Sequence, residues 1–314
     1  MPSVPSALAA AGVRALGRPT PRRAAFRAAA ARGRALVLLY HRVTPNGARP
    51  SDVVPAVATA LFRQQIEALL TAGDVVPLAD VLAAPRASRR PRFALTFDDD
   101  EPAHLGHALP VLRALGVPAT FFLMGRALHG LGPPWWVLLE EAIARRGLAD
   151  VVRVLGVAAR TPAELARRCE GTPLAEEIVR TFPVPDEGTL LQGDDVRALV
   201  AAGMTVGFHT VGHAPLPLLD DVALSHALHA GRARLAAAAG VPVDLLAYPH
   251  GRADARVAQH ARAAGYQAAW RTGGRPVAPR GDPFLLGRWE PGPLPPRTLL
   301  AWAALRLNRL AGAP

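Results

Sequence analysis

Seven short apolar runs recur along this chain, each separated from the next by stretches of Ala, Leu and Arg with helical periodicity. Few architectures accept that alternation, because strand, crossover helix and strand in succession build a parallel sheet or barrel. The runs are Ala35 to His41, Arg92 to Asp98, Ala119 to Met124, Thr205 to His209, Leu245 to Pro249, Gln267 to Trp270 and Leu285 to Trp289. Helical patterns cover Ala58 to Ala72, His104 to Leu115, Ala163 to Arg180, Asp194 to Ala202, Asp221 to Ala239 and Ala253 to Ala264. Gly116-Val117-Pro118, Gly203, Gly240-Val241-Pro242 and Gly265 punctuate the joints. With 314 residues and 50% of them apolar, the chain can bury a sizeable core.

Residues 125–193 separate two strand signals by far more than one crossover helix needs, which predicts a helical insertion at the edge of a site. Within it, Trp135-Trp136 followed by Glu140-Glu141 fits a substrate wall or plain packing, and packing is favoured. The expected organisation is a basic extension over 1–34, a main domain over 35–292 and a helical tail over 293–314. From Arg297 to Leu310, apolar residues including Trp302 alternate with Arg306 and Arg309 at helical spacing. A closing helix packed on the domain is favoured there over a helix lying on a membrane, and peripheral membrane contact stays open.

The formal charge of +11 comes entirely from arginine, since the chain has no lysine, and this bias reflects GC-rich coding as much as binding. The arginines are spread along the chain without a reading motif, so nucleic acid is not expected as a partner. Arg14, Arg18, Arg22, Arg23, Arg27 and Arg32 interrupt the Ala-rich N-terminus and leave no continuous signal-peptide core. No apolar stretch has the length of a membrane span, and a cytoplasmic or membrane-peripheral location is expected. Cys169 is the sole cysteine, which excludes an internal disulfide or a thiolate metal site and predicts a buried small residue.

The chemistry concentrates at the ends of two predicted strands. Leu95-Thr96-Phe97-Asp98-Asp99 is an apolar strand ending in adjacent carboxylates, and His209-Thr210-Val211-Gly212-His213 supplies two imidazoles. One carboxylate and two imidazoles can hold a zinc-like ion with an open position, while the second carboxylate stays free as a base. Successive strand residues face opposite ways, so Asp98 and Asp99 converge only if the strand ends or bulges there, as at the C-terminal rim of an α/β barrel. Asp100 and Glu101 add negative charge that would attract a cation; the bland reading is an acidic cap on the helix beginning at His104. The His-x-x-x-His spacing brings two rings to one side of a helical turn, which Pro215 and Pro217 keep short. Alone the spacing is weak, since ten histidines would give about 0.3 such pairs by chance.

Thr96-Phe97-Asp98-Asp99, Pro118-Ala119-Thr120-Phe121-Phe122, the His209/His213 pair and Ala247-Tyr248-Pro249-His250-Gly251 follow one another in this order. With them the chain resembles, from about Leu36 to Glu290, the polysaccharide deacetylases of carbohydrate esterase family 4, the domain shared with nodulation-factor and chitin deacetylases. The resemblance implies a distorted (β/α)7-type barrel with a helical insertion, and a metal-dependent hydrolase that removes acetyl groups from an N-acetylated sugar or glycan. It implies that Asp98 is the general base and that Asp99, His209 and His213 hold a divalent metal, most simply Zn2+. It also implies that the backbone N–H of His250 helps stabilise an oxyanion and that Tyr248 shapes the acetyl pocket. Trp289, and less so Trp270, offer apolar faces on which a sugar ring could rest.

The chain departs from the family in two places. Ala247 stands where an arginine that orients the base is expected, and the family's Asp-containing fourth motif is not recognisable before Trp270. Arg42 and Arg288, each at a predicted strand near the rim, are the candidate substitutes. The usual Leu-x-His of the general acid is missing from Leu285-Leu286-Gly287-Arg288-Trp289-Glu290, whereas Leu39-Tyr40-His41 has the pattern at the first strand. This resembles the permuted arrangement of biofilm poly-N-acetylglucosamine deacetylases and nominates His41 as the acid. Two alternatives stay open: an O-acetyl esterase or non-sugar amidase using the same centre, and a non-catalytic glycan-binding module.

Overall fold

The computed structural model describes residues 7–48, 52–83, 90–183, 189–279 and 281–309. The extreme ends of the predicted extension and tail, 1–6 and 310–314, lie outside the described residues, as do 184–188 within the predicted insertion. In chain order the strands are β1 (Ala35–Tyr40), β2 (Arg42–Thr44), β3 (Ala56–Ala58), β4 (Asp74–Val75), β5 (Arg92–Asp98), β6 (Thr120–Leu123), β7 (Thr205–Phe208), β8 (Leu245–Ala247), β9 (Ala268–Thr272) and β10 (Leu286–Arg288). Seven of them run in the order β1-β5-β6-β7-β8-β9-β10, every neighbouring pair parallel, with β4 beside the start of β5. The ring closes where Leu39 N–H donates to Trp289 O and Trp289 N–H donates to Val37 O, both at 2.9 Å. This is the distorted seven-stranded barrel expected from the resemblance.

Alternate strand residues fall into two apolar clusters, as a pleat requires. Val37, Ala94, Phe122, Leu245, Ala247, Ala268, Trp270 and Leu286 pack together inside the ring. Leu36, Leu38, Tyr40, Phe93, Leu95, Phe97, Phe121, Phe208, Leu246 and Tyr248 belong to the larger cluster shared with the surrounding helices. Near-continuous apolar strands are the signature of a sheet covered on both faces.

The helices are α1 (Ala7–Leu16), α2 (Pro19–Ala31), α3 (Thr59–Ala72), α4 (Leu109–Leu115), α5 (Trp135–Arg146), α6 (Leu148–Val154), α7 (Pro162–Cys169), α8 (Pro173–Thr181), α9 (Gly193–Ala201), α10 (Asp221–His229), α11 (Arg232–Ala239), α12 (Ala255–Ala263) and α13 (Pro296–Leu307). Three predicted helices are interrupted. The 163–180 pattern divides at Glu170-Gly171-Thr172, where Gly171 has φ 69° and Pro173 restarts the helix. The 221–239 pattern divides at Gly231, which has φ 90°. The 104–115 pattern opens with a π turn at His104–Ala108. Helices α5 to α8 fall within residues 125–193, where an insertion was expected, and have a small core of their own around Leu138, Leu139, Val151, Leu165, Ile178 and the buried Cys169.

Helix α13 buries Leu299, Leu300, Ala303, Ala304 and Leu307, and it packs on α1, α2, α3 and β1. It is a closing helix, its apolar face already occupied. No helix among the described residues is long and apolar enough to cross a membrane.

Candidate metal centre and active site

Strand β5 delivers Asp98 to the barrel interior, and a regular strand would turn the next carboxylate, Asp99, away. The backbone resolves the conflict at Asp99, which has φ 72°. Buried His104, absent from the sequence-level site, holds this bend: its Nε2 lies 3.1 Å from the carbonyl oxygens of both Asp98 and Asp99. Burial pushes its pKa down to about 4, so the ring is a neutral donor to those carbonyls. Among the described residues, the non-glycine positions with positive φ are Asp99, Thr210 (59°), His213 (49°) and His250 (57°). All four lie in the motifs singled out for chemistry, where strain is maintained by the surrounding structure.

The two histidines lie on the loop leaving β7, and positive φ at Thr210 and His213 replaces the helical turn that the spacing suggested. Their rings still converge, with centroids 4.9 Å apart. Asp99 Oδ1 is 3.8 Å from His209 Nε2 and 3.7 Å from His213 Nε2, and one ligand atom from each of the three residues lies within 4.8 Å of the others. Tetrahedral ligands of one zinc ion stand roughly 3.4 Å apart, so the two Asp99–histidine distances of 3.8 and 3.7 Å lie close to that spacing. His209 Nδ1 donates to Ala247 O at 2.8 Å, which leaves Nε2 bare toward Asp99. Burial pushes His209 down to about 4 and His213 well below its ordinary value, so both present lone pairs. Asp99 Oδ1 is buried with no hydrogen-bond partner among the described residues, and burial, opposed by His41 but reinforced by Asp98, Glu101 and Asp100, pushes this carboxyl up to about 7. A buried carboxylate oxygen without a hydrogen bond beside two neutral imidazoles is a donor set that fits a divalent cation.

Asp98 is placed differently. Its Oδ1 and Oδ2 receive Arg288 Nη1 and Nη2 at 2.6 and 2.7 Å, a bidentate pair buried on both sides. Burial opposes the charge on Asp98, but the Arg288 guanidinium outweighs it and holds the carboxyl below the usual carboxylate range. Of the two arginine candidates, Arg288 is therefore the one that orients Asp98. Arg42 is spent on Glu101, at 2.6 and 2.9 Å, and on Glu140 of α5, at 2.7 Å. Asp100 and Glu101 do not enlarge a cation-attracting surface: Glu101 is neutralised by Arg42, and Asp100 accepts the backbone N–H groups of Met124, Gly125 and Arg126 at 2.8 to 3.0 Å. Neither caps the following helix.

His41 stands at the seam of the barrel beside Glu290, its Nδ1 2.8 Å from Glu290 Oε1. Burial lowers the His41 pKa, but Glu290, Asp99 and Asp98 outweigh it and raise the imidazole to about 9. Glu290 escaped the sequence reading, which searched the last strand for a histidine and passed over its carboxylate.

Two expectations about substrate contacts are corrected. Tyr248 alternates outward into the cluster between sheet and helices, and its hydroxyl donates to Phe284 O at 2.9 Å. Its ring therefore does not line an acetyl pocket. Trp289 is 6% exposed, with the Arg306 guanidinium 4.8 Å above its ring, and Trp270 is wholly buried inside the barrel. Neither presents an open face to a sugar. His250 does reach the centre, its ring 4.5 Å from that of His213, and Trp136 covers His213 from another direction at 4.6 Å.

Residues 86–269 match the family model described as polysaccharide deacetylase, which is more than half of the chain. No curated protein sequence matches. Among solved structures, the deacetylase PplD of Streptococcus pyogenes, in complex with acetate, is similar at 16% identity and TM-score 0.61, over 85% of this chain and 96% of that one. IcaB from Ammonifex degensii is similar at 21% identity and TM-score 0.59, over 86% and 97% respectively. A de-N-acetylase from Aggregatibacter actinomycetemcomitans follows at 14% identity and TM-score 0.57, over 81% and 94%. At such identities these structures establish the shared barrel, and the family match over the aspartate, histidine and Tyr-Pro-His motifs goes further: this chain belongs to the polysaccharide deacetylases, family 4 of the carbohydrate esterases.

Proposed function

We propose that this protein is a metal-dependent hydrolase that releases acetate from an N-acetylated sugar or glycan. The observation that carries the reading is the division of labour between adjacent carboxylates: Asp98 is fixed by Arg288 at 2.6 and 2.7 Å, while Asp99 Oδ1 faces two bare imidazole nitrogens. Asp99, His209 and His213 would hold the ion, and the nitrogen-rich ligand set favours zinc over magnesium or calcium. A divalent ion held there supplies Lewis acidity, which polarises the acetyl carbonyl and makes a water acidic near neutral pH.

The chain's own residues then move the protons. Asp98 Oδ2, 3.6 Å from His209 Nε2, stands beside the ligand set and accepts the proton of the attacking water. The backbone N–H of His250 donates to the oxygen that gains charge. His41, kept protonated by Glu290, delivers its proton to the departing nitrogen. That last step favours an amide over an ester, because an amine leaves only once protonated whereas an alkoxide needs less help. The de-N-acetylase among the similar structures agrees with this preference.

Acetate release from short N-acetylglucosamine oligomers, measured on chelator-stripped and zinc-reloaded protein, tests the reading. Activity should vanish on stripping and return on reloading. Asp98→Asn should bind zinc like the native protein yet lose about 10^2- to 10^4-fold in kcat. Undiminished turnover in Asp98→Asn, or release from O-acetyl sugars alone, would reject it.

A further inference from the structure

The two imidazole ligands are held in different ways. His209 is oriented conventionally, by a hydrogen bond from its second nitrogen to Ala247 O at 2.8 Å. His213 has no such support, for its Nδ1 is buried without a hydrogen-bond partner among the described residues, and its φ of 49° is strained for an L residue. Two rings confine it instead. Trp136 lies 4.6 Å away at an interplanar angle of 59°, and His250 lies 4.5 Å away at 66°.

Both rings lead to the helical insertion. Trp136 belongs to α5 itself. His250 Nε2 donates to the carbonyl oxygen of His213 at 3.2 Å, and its Nδ1 is 3.0 Å from Oε1 of Glu170, which sits in the turn between α7 and α8. Glu170 also pairs with Arg252 at 3.0 Å, so the turn is tied to the loop that carries His250 at two points. The insertion thus contributes no proposed ligand; it meets the His213 ring through Trp136 and, through Glu170, the His250 ring that donates to the His213 carbonyl.

We propose that Trp136 and the Glu170–His250 pair are positioning groups that hold His213 in its ligating orientation, so that the insertion sets how tightly the protein binds its cation. This rests on the metal reading given above. Outer partners of metal-binding histidines commonly contribute 10- to 100-fold in affinity, and here that role passes from a hydrogen bond on the ligand ring to an inserted helical unit.

Zinc affinity of the stripped full-length protein, measured by competition with a chromophoric chelator, tests the inference without using turnover. Trp136→Ala and Glu170→Ala should each raise the zinc Kd about tenfold, and His250→Ala by roughly 10- to 100-fold. Glu170→Ala combined with His250→Ala should be no weaker than His250→Ala alone, because Glu170 acts through that ring. His250→Gln, whose amide can still donate to the His213 carbonyl, should recover part of the loss. In cobalt-loaded protein the visible absorption should change in the same variants, since it reports ligand geometry. Glu170→Gln, near-isosteric, and Trp136→Leu, which keeps an apolar side chain but removes the aromatic face, give the same comparison should the alanine variants misfold. Zinc Kd values within twofold of native across folded variants would overturn the inference alone. Failure of the native protein to take up zinc or cobalt would overturn the metal reading beneath it.

Discussion

Asp98 and Asp99 share a peptide bond yet carry opposite electrostatic burdens, and their surroundings assign the roles. Arg288 stabilises the charge on Asp98; at Asp99 burial and like charges outweigh the opposing charge of His41 and push the carboxyl up to about 7. The same logic applies at His41, where Glu290 reverses the effect of burial. A histidine raised from 6.5 to about 9 contributes stability that is fully present below 6.5 and lost as pH rises through about 9. As the proposed acid it must be protonated, so activity should fall on the alkaline side near that value. Glu290→Gln removes the main opposing influence and should move the alkaline limb of kcat/KM down by at least about one pH unit. A limb that stays in place would show that another group titrates there. That Asp98, Asp99, His209 and His213 come together was legible because their motifs are local. Arg288 was legible only as one of two candidates beside Arg42, and Glu290 and His104 not at all as partners: 190 residues separate Arg288 from Asp98 and 249 separate Glu290 from His41, and nothing in either short segment marks the pairing.

At the level of elements, periodicity located the seven barrel strands to within one or two residues, because each strand lies between two apolar layers and reads as an unbroken apolar run. The short strands β2 and β3 pair only with each other, and they were missed for want of such a run. Periodicity also ran straight through the break at Gly231, which separates α10 from α11 although Ala-rich sequence continues on both sides. The reason is tertiary. A Cβ at Gly231 would stand 2.3 Å from Val211 Cγ2 and 2.9 Å from His129 Nε2, so the helix must open where the loop between His209 and His213 presses against it. Gly231→Ala therefore meets a clash and a φ of 90° together. It should destabilise the protein by about 1–3 kcal/mol in urea titration and weaken zinc binding, since Val211 lies between the ligands. Substitution at Gly240, where φ is 69° and no atom lies within 4 Å of a Cβ, should cost stability but leave zinc affinity unchanged. Equal zinc affinity in the Gly231 and Gly240 variants would show that the loop is not braced by this contact.

Across the whole molecule, the two ends of the chain complete the barrel. The β1–β10 seam that places His41 beside Glu290 is covered by α13, and α13 is covered in turn by α1 and α2. Arg34 Nη1 donates to the carbonyls of Leu307 and Arg309 at 3.0 Å, fastening the end of α13 to the residue just before β1. Asn308 Nδ2 donates to Ala25 O at 3.0 Å. Phe26 of α2 is 5% exposed and meets Phe93 of β5 edge-on, with centroids 6.1 Å apart. A sequence reading that sees arginines and alanines before the first strand calls this segment an extension, because its apolar face, Phe26 and Ala29, is sparse until the partner surface is known. If the helical pair is integral, Phe26→Ala should cost about 3–5 kcal/mol and leave a single cooperative transition, since the cavity opens in the core that carries β5 and hence Asp98. An independently folding extension would behave otherwise. Its loosening would appear as a separate early transition or change the midpoint by less than about 0.5 kcal/mol, and zinc binding would survive through it. Calorimetry of zinc-loaded and stripped Phe26→Ala distinguishes the two, because ligand stabilisation raises only the transition that contains the site.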